Sequence, residues 1–375
     1  MSLPRFSYFQ AKSLDQAVTL LEDYYPRARV IAGGTDLLGV MKDRISTPEF
    51  VIDLKDVKGL EYIREESGVL KIGALTRLCE IERSPLLGEK FSLLSEAARM
   101  IASPQIRNMA TLGGNLCQDV RCWYYRASPW CGAPFHCYRK GGDRCYVSGL
   151  GLHDDGLSRD RYFGEDAFIL YRAGAGPVNL GYLLGRDGLA PRDSGDGRYH
   201  SIFGASICHA VCPSDMAIAL TALGAKARVV GEKGERTLPV EQLWLNDAPW
   251  TSLERNEIIT EIQVAAPKGD QLGTYLKFRF RKALDFAIVS VAAALEMEGE
   301  RVKEANLVLG GVAPGPWRAR DSESLLGARP LKSMIAEAAE AAVVGAEPSP
   351  MSAYKVALCR VVVKEALLSI SQPLA

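Results

Sequence analysis

Seven of the nine cysteines in this 375-residue chain fall between Cys117 and Cys212, and that crowding narrows what the chain can fold into. The block reads CQDVRCWYYRASPWCGAPFHCYRKGGDRCYV from 117 to 147 and closes with ICHAVC at 207–212. The odd total does not suit a fully paired disulfide framework. The opening MSLPRFSYF lacks the basic-then-apolar order of a secretory leader, so a cytoplasmic location is expected. Clustered thiols in a reducing compartment favour metal ligation or redox chemistry over structural disulfides.

Around the block the chain reads as ordinary globular protein. Lysine plus arginine equals aspartate plus glutamate at 45 each, so nothing calls for nucleic acid or a charged membrane surface. The longest apolar run, near Phe286–Leu295, is far short of the roughly 20 residues of a membrane span. Ser13 to Gln16 fits a capping box that starts a helix over 14–24. Residues 27–32, 51–54 and 70–72 read as short strands, and 75–83 and 91–102 carry helical spacing. A helix starts at Pro213-Ser-Asp-Met, and a hairpin follows over 226–238. A second domain is expected to begin near Ile258–Val264 and continue through strands at 274–281, 286–297 and 301–311. Helices over 331–344 and 351–370 complete it. Strands followed by helices predict an α+β layer. Residues 146–200 are dense in Gly, Asp, Arg and Tyr and show no regular pattern.

Two glycine pairs frame the chemistry. AGGTDLL at 32–38 follows a strand, and TLGGNL at 111–116 stands just before the cysteines. Paired glycines let backbone N–H groups wrap an anion such as a pyrophosphate, with Thr111 and Asn115 as side-chain donors. Neither loop is a G-x-G-x-x-G fingerprint or a phosphate-binding P-loop. Each can equally be an ordinary strand-ending turn.

Taken with GALTRL at 73–78 and PSD at 213–215, these loops resemble the flavoprotein (medium) subunits of the molybdenum hydroxylase, or xanthine dehydrogenase, family. YLKFRFRKALDFAIVSVAAAL at 275–295 and LVLGGVAPGPWRAR at 307–320 resemble that family's C-terminal flavoprotein domain. The resemblance implies a vanillyl-alcohol-oxidase (PCMH)-type FAD-binding domain of two α/β subdomains over 1–117 and 206–250. A small C-terminal α+β domain, an antiparallel three-stranded sheet plus a helical layer, would occupy 251–375. It further implies that Ala32, Gly33, Gly34, Thr35, Asp36 and Leu37 cradle the FAD pyrophosphate from one side. Ala110, Thr111, Gly114 and Asn115 would do so from the other. Asp215 would bond toward the ribityl or ribose portion, Ile259 would pack near the ring, and Lys277 would reach the flavin's polar edge.

Within the family, the cysteine pattern is similar to that of the 4-hydroxybenzoyl-CoA reductase branch, whose flavin subunit has an inserted [4Fe–4S] loop. By that resemblance 118–205 is an iron–sulfur insertion with Cys122, Cys137, Cys145 and Cys208 as ligands. The near-zinc spacings Cys117/Cys122 and Cys208/Cys212 keep a structural zinc site open. Cys79 and Cys359 sit on apolar helical stripes and read as core, and His153 and His200 read as surface residues. The expected function is electron relay from a ferredoxin or similar donor, through [4Fe–4S] and FAD, to partner subunits. The large partner would hold molybdopterin and the small one [2Fe–2S], for dehydroxylation of an aromatic acyl-CoA. Two alternatives stand beside it: an oxidative dehydrogenase subunit passing electrons to NAD+ or another acceptor, and a zinc-stabilised interaction module.

Overall fold

The computed structural model describes residues 2–127, 135–142, 144–148, 197–248, 250–267, 269–327 and 329–371. The expectations for Cys131, His153 and most of 150–200 therefore lie outside the described residues.

Three strands open the chain: β1 (Ser7–Gln10), β2 (Ala28–Ile31) and β3 (Phe50–Asp53), all parallel, with β3 in the middle. The helix Leu14–Asp23 crosses between β1 and β2 and buries Ala17, Val18 and Leu21. Ser13 Oγ caps it, accepting from Gln16 N at 3.2 Å. Gln16 reaches back one residue further than a standard capping box, accepting from Lys12 N. The sheet matters because β2 ends at Ile31, which aims Ala32–Gly34 outward from a fixed strand end.

The second sheet is antiparallel and five-stranded. It contains β4 (Ile63–Glu66), β5 (Val69–Gly73), β6 (Lys226–Gly231), β7 (Gly234–Pro239) and β8 (Ile258–Ala265), in the order β4-β5-β8-β6-β7. Here the expected boundary moves. The run Ile258–Val264, read as the start of a second domain, is the central strand of the first, with Ile262 opposite both Ile72 and Ala227. Its apolar residues are buried because both flanks and both faces are covered, which is why the run lacks alternation. Helices Leu78–Arg83, Ser92–Arg99 and Asp215–Ala222 pack into the same core, the last buried along its whole length.

The last unit is an antiparallel sheet of β9 (Asp270–Phe278), β10 (Val289–Glu298), β11 (Arg301–Gly310) and the two-residue β12 (Trp317–Arg318). It has one short strand more than expected and an additional helix, Arg320–Leu326, before Leu331–Ala341 and Tyr354–Ser371. Along β10 the side chains alternate between two cores. Val289, Val291, Ala293 and Leu295 face the C-terminal helices, while Ala292 and Ala294 face the core that holds Asp215–Ala222. Small residues on that second face let the sheet lie close to the helix. The mixed α/β architecture followed by an antiparallel sheet with helices is the one the sequence led us to expect.

Lys355 is fully buried in Tyr354–Ser371 and donates from Nζ to Gly311 O at 2.7 Å and His200 O at 3.0 Å. Burial lowers its pKa to about 7. Between pH 7 and about 8.5 the unfolded chain therefore binds the lysine proton while the folded chain has lost it, so this lysine's contribution to stability rises with pH in that window. Toward about pH 8.5 thiols also ionise in the unfolded chain. Buried thiols such as Cys359, raised to about 12, act in the opposite sense. Denaturant melts across pH 7–8.5 should therefore give a more positive slope of stability against pH in the wild type than in Lys355→Met; equal slopes in the two proteins would remove Lys355 as a contributor.

Candidate functional site

The two glycine loops meet. A Cβ on Gly33 would lie 1.9 Å from Met109 O, so the backbone after β2 and the backbone before Thr111 touch with no room for a side chain. Gly34 has φ of +72°, a left-handed conformation that glycine adopts without strain. The second loop is pinned from behind, with Leu78 N donating to Ala110 O at 2.9 Å and Gly113 N to Ala74 O at 2.8 Å. Thr111 Oγ1 caps the short helix Leu112–Leu116, accepting from Gly114 N at 3.1 Å.

All thirteen residues assigned to the flavin by resemblance line one cavity of about 920 Å³. Their bonds refine the expected roles. Asn115 Oδ1 accepts from Ser214 Oγ at 2.7 Å, which ties the second glycine loop to the start of helix Asp215–Ala222. Asp215 accepts from Lys277 Nζ at 2.7 Å and from Tyr275 OH at 2.5 Å, and Lys277 also donates to Met100 O at 3.1 Å. Both Asp215 oxygens are therefore engaged within the protein. Tyr275 is buried, and its phenol is held well above its ordinary pKa by burial and by Asp215. The site thus presents a lysine cation paired with a carboxylate that a neutral phenol holds in place.

The sequence reading missed the arm that closes the cavity. Asp36 forms ion pairs with Arg121 and Arg126, each at 2.9 Å, and accepts from Asp119 N at 2.7 Å. Arg139 pairs with Asp119 at 3.3 Å and lies over the rings of Trp250 (4.6 Å) and Tyr125 (5.7 Å). All of these side chains line the same cavity. The signal lay in the arginine–aromatic interleaving of RCWYYR and CYRK.

Cys122, Cys137, Cys145 and Cys208 line a second, small cavity together with Tyr124, Tyr125, Tyr138 and Arg139. A tight turn brings two of them together: Gly142 N and Lys140 N both donate to Cys137 O, Gly141 has φ of +87°, and Tyr138 N donates to Arg144 O at 2.6 Å. Burial raises the pKa of Cys122, with Cys145, Cys137 and Cys208 adding to the rise, and it pushes Cys208 up to about 11. Among the described residues no group of three or more Cys, His, Asp or Glu is arranged to hold a single metal ion. Cys117 lines the large cavity instead, Cys212 is buried in the main core, and Cys79 and Cys359 are core residues. His200, expected at the surface, is buried, with Nε2 3.2 Å from Cys122 Sγ.

Residues 4–267 match the family described as the FAD binding domain in molybdopterin dehydrogenase, and residues 274–370 match the CO dehydrogenase flavoprotein C-terminal domain. The chain belongs to this family of FAD-binding medium subunits. It is 28% identical to the carbon monoxide dehydrogenase medium chain of Hydrogenophaga pseudoflava, over 97% of this chain and 96% of that one. It is 30% identical to the aldehyde oxidoreductase FAD-binding subunit of Escherichia coli (strain K12), over 80% of each. The crystal structure of carbon monoxide dehydrogenase from Hydrogenophaga pseudoflava, in a form lacking the Mo-pyranopterin moiety, superposes with a TM-score of 0.70 at 26% identity. It covers 99% of this chain and 98% of that one.

The medium subunit's residues fit FAD. The cavity volume is within the usual range for cofactor sites, two glycine backbones converge in it, and a fixed cation faces it. Membership in a flavoprotein family also overturns the reading of the chain as a redox-inactive module. Among the described residues no helix of the medium subunit is long and apolar enough to cross a membrane.

Proposed function

We propose that this flavoprotein subunit carries a [4Fe–4S] cluster on Cys122, Cys137, Cys145 and Cys208 and relays electrons between that cluster and FAD. The supporting observation is a shared wall: Tyr125 and Arg139 line both the cysteine cavity and the FAD cavity. A cluster takes thiolate ligands in partly dry surroundings, and these four cysteines are gathered and largely buried. FAD, when bound, supplies the exchange between one- and two-electron chemistry. The chain's own residues position it. Backbone N–H groups of the first glycine loop would face the pyrophosphate, the second loop would close against it, and Lys277, oriented by Asp215 and Tyr275, would favour negative charge at the flavin's polar edge.

In this reading electrons enter from a ferredoxin-like donor at the cysteine end. They leave FAD for a [2Fe–2S] small subunit and a molybdopterin-binding large subunit, where an aromatic acyl-CoA is dehydroxylated in the manner of 4-hydroxybenzoyl-CoA reductase. The opposite direction, oxidation at molybdenum with electrons passed out to NAD+ or another acceptor, is favoured by the dehydrogenase relatives. Anaerobic purification with metal analysis and EPR after dithionite tests the cluster. The expected result is one FAD and about four irons per chain, with a reduced-cluster signal lost in Cys137→Ser and Cys145→Ser. One zinc and no iron would overturn the relay and leave the flavoprotein assignment standing.

A further inference from the structure

His200 is held in place by its backbone. Its N–H donates to Gly197 O at 3.0 Å, and its carbonyl accepts from the buried Lys355 at 3.0 Å. The next residues are fastened as well, Ser201 N to His209 O and Ile202 N to Val312 O of the C-terminal unit. His200 is 3% exposed, and its Nε2 stands 3.2 Å from Cys122 Sγ, within hydrogen-bonding reach of sulfur. A histidine anchored from a different structural unit than the cysteine it meets is placed by the fold, not by local sequence.

We propose that His200 donates an Nε2–H hydrogen bond to the ligating sulfur of Cys122 and so raises the reduction potential of the cluster, an inference that rests on the cluster reading above. The physical reason is direct. Electron uptake adds negative charge to the cluster and its thiolate sulfurs, and a donor fixed on one of them stabilises the reduced form more than the oxidised one. Because Lys355 fixes the His200 backbone, the donor need not reorganise when the charge changes. Lys355 is a positioning residue acting through His200. The iron itself would be bound by Cys122, not by the histidine.

The experiment is an EPR-monitored redox titration of the intact complex with wild type, His200→Leu and His200→Gln. His200→Leu should lower the cluster's reduction equilibrium constant about tenfold, which is about 59 mV for a one-electron couple. His200→Gln, which keeps an N–H donor, should recover most of that shift, and the FAD potential should stay unchanged in all three. A wild-type potential in an iron-loaded His200→Leu protein would overturn the proposal. If His200→Leu fails to load iron, pulsed EPR of ¹⁵N-histidine-labelled wild type and His200→Gln decides. A weak nitrogen coupling present only in the wild type supports the donor, whereas no coupling, or the strong coupling of a nitrogen bound to iron, overturns it. Wild type that holds FAD but no iron would remove the cluster reading and this inference together. Iron in the wild type with no shift in the variant removes this inference alone.

Discussion

Gly33→Ala should purify without FAD, or bind it at least about 100-fold more weakly, a loss of about 2.7 kcal/mol of binding free energy. The new methyl would sit 1.9 Å from Met109 O, and the atom it meets is backbone, not the end of a flexible side chain. The two glycine loops must therefore part by more than an ångström, and both lose their positions relative to the pyrophosphate. Overpacking of this kind typically costs about 1–3 kcal/mol in stability. Gly88→Ala, in helix Pro85–Lys90 with nothing within 4 Å of the added methyl, is the matched control. It should keep its flavin and gain slightly in stability, as alanine does over glycine inside helices. Flavin absorbance per chain and a titration of the apoprotein with FAD read the result. A Gly33→Ala protein with wild-type flavin content would show that the loops do not hold the cofactor.

Asp36→Ala should loosen the arm that carries Cys122 and weaken FAD binding at the same time. One carboxylate pairs with Arg121 and Arg126 and accepts from the amide of Asp119, and its side chain is 20% exposed against 27% and 16% for the two arginines. Removing it leaves two partly buried guanidinium groups with only the Asp119 carboxylate nearby, which already pairs with Arg139. Arg121 already has its pKa lowered to about 10 by burial, with Arg126 adding repulsion. Partial exposure and the remaining Asp119 charge soften the penalty for such an under-compensated pair to about 2 kcal/mol. The expected signature is a lower melting temperature together with faster proteolysis around 119–126 and reduced flavin content. Asp36→Asn should fall between, since its amide oxygen still accepts one bond. An Asp36→Ala protein with the wild-type melting temperature and wild-type flavin would show that the arm is fastened elsewhere.

The glycine loops were legible because their function is carried by backbone, and a Gly-Gly pair after a strand leaves few other uses. The C-terminal strands were legible from their apolar runs. Two errors have separate physical causes. β1, SYFQ, pairs through its backbone along one edge of β3 and exposes most of its side chains, so no hydrophobic pattern marks it. β8 belongs to a sheet whose other members lie before residue 74 or after residue 225, and register across such distance leaves no trace in local pattern. The same holds for the polar contacts that finish the cavity. Asp36 with Arg126, Asp215 with Tyr275, and His200 with Cys122 are separated by 90, 60 and 78 positions. Residue type could nominate each partner, but only the fold could bring them together.

The central place of β8 has a consequence for how the chain is made. β5 ends at Gly73 and β8 begins at Ile258, so the middle of the sheet stays vacant until the ribosome has added the whole cysteine-bearing stretch. At ordinary elongation speeds that wait is roughly 10 to 40 s. During it β5 has an open edge, and Cys122, Cys137, Cys145 and Cys208 have all been made before the sheet beside them can close. A ribosome-associated holdase therefore has a longer opportunity here than on a sheet built from consecutive strands.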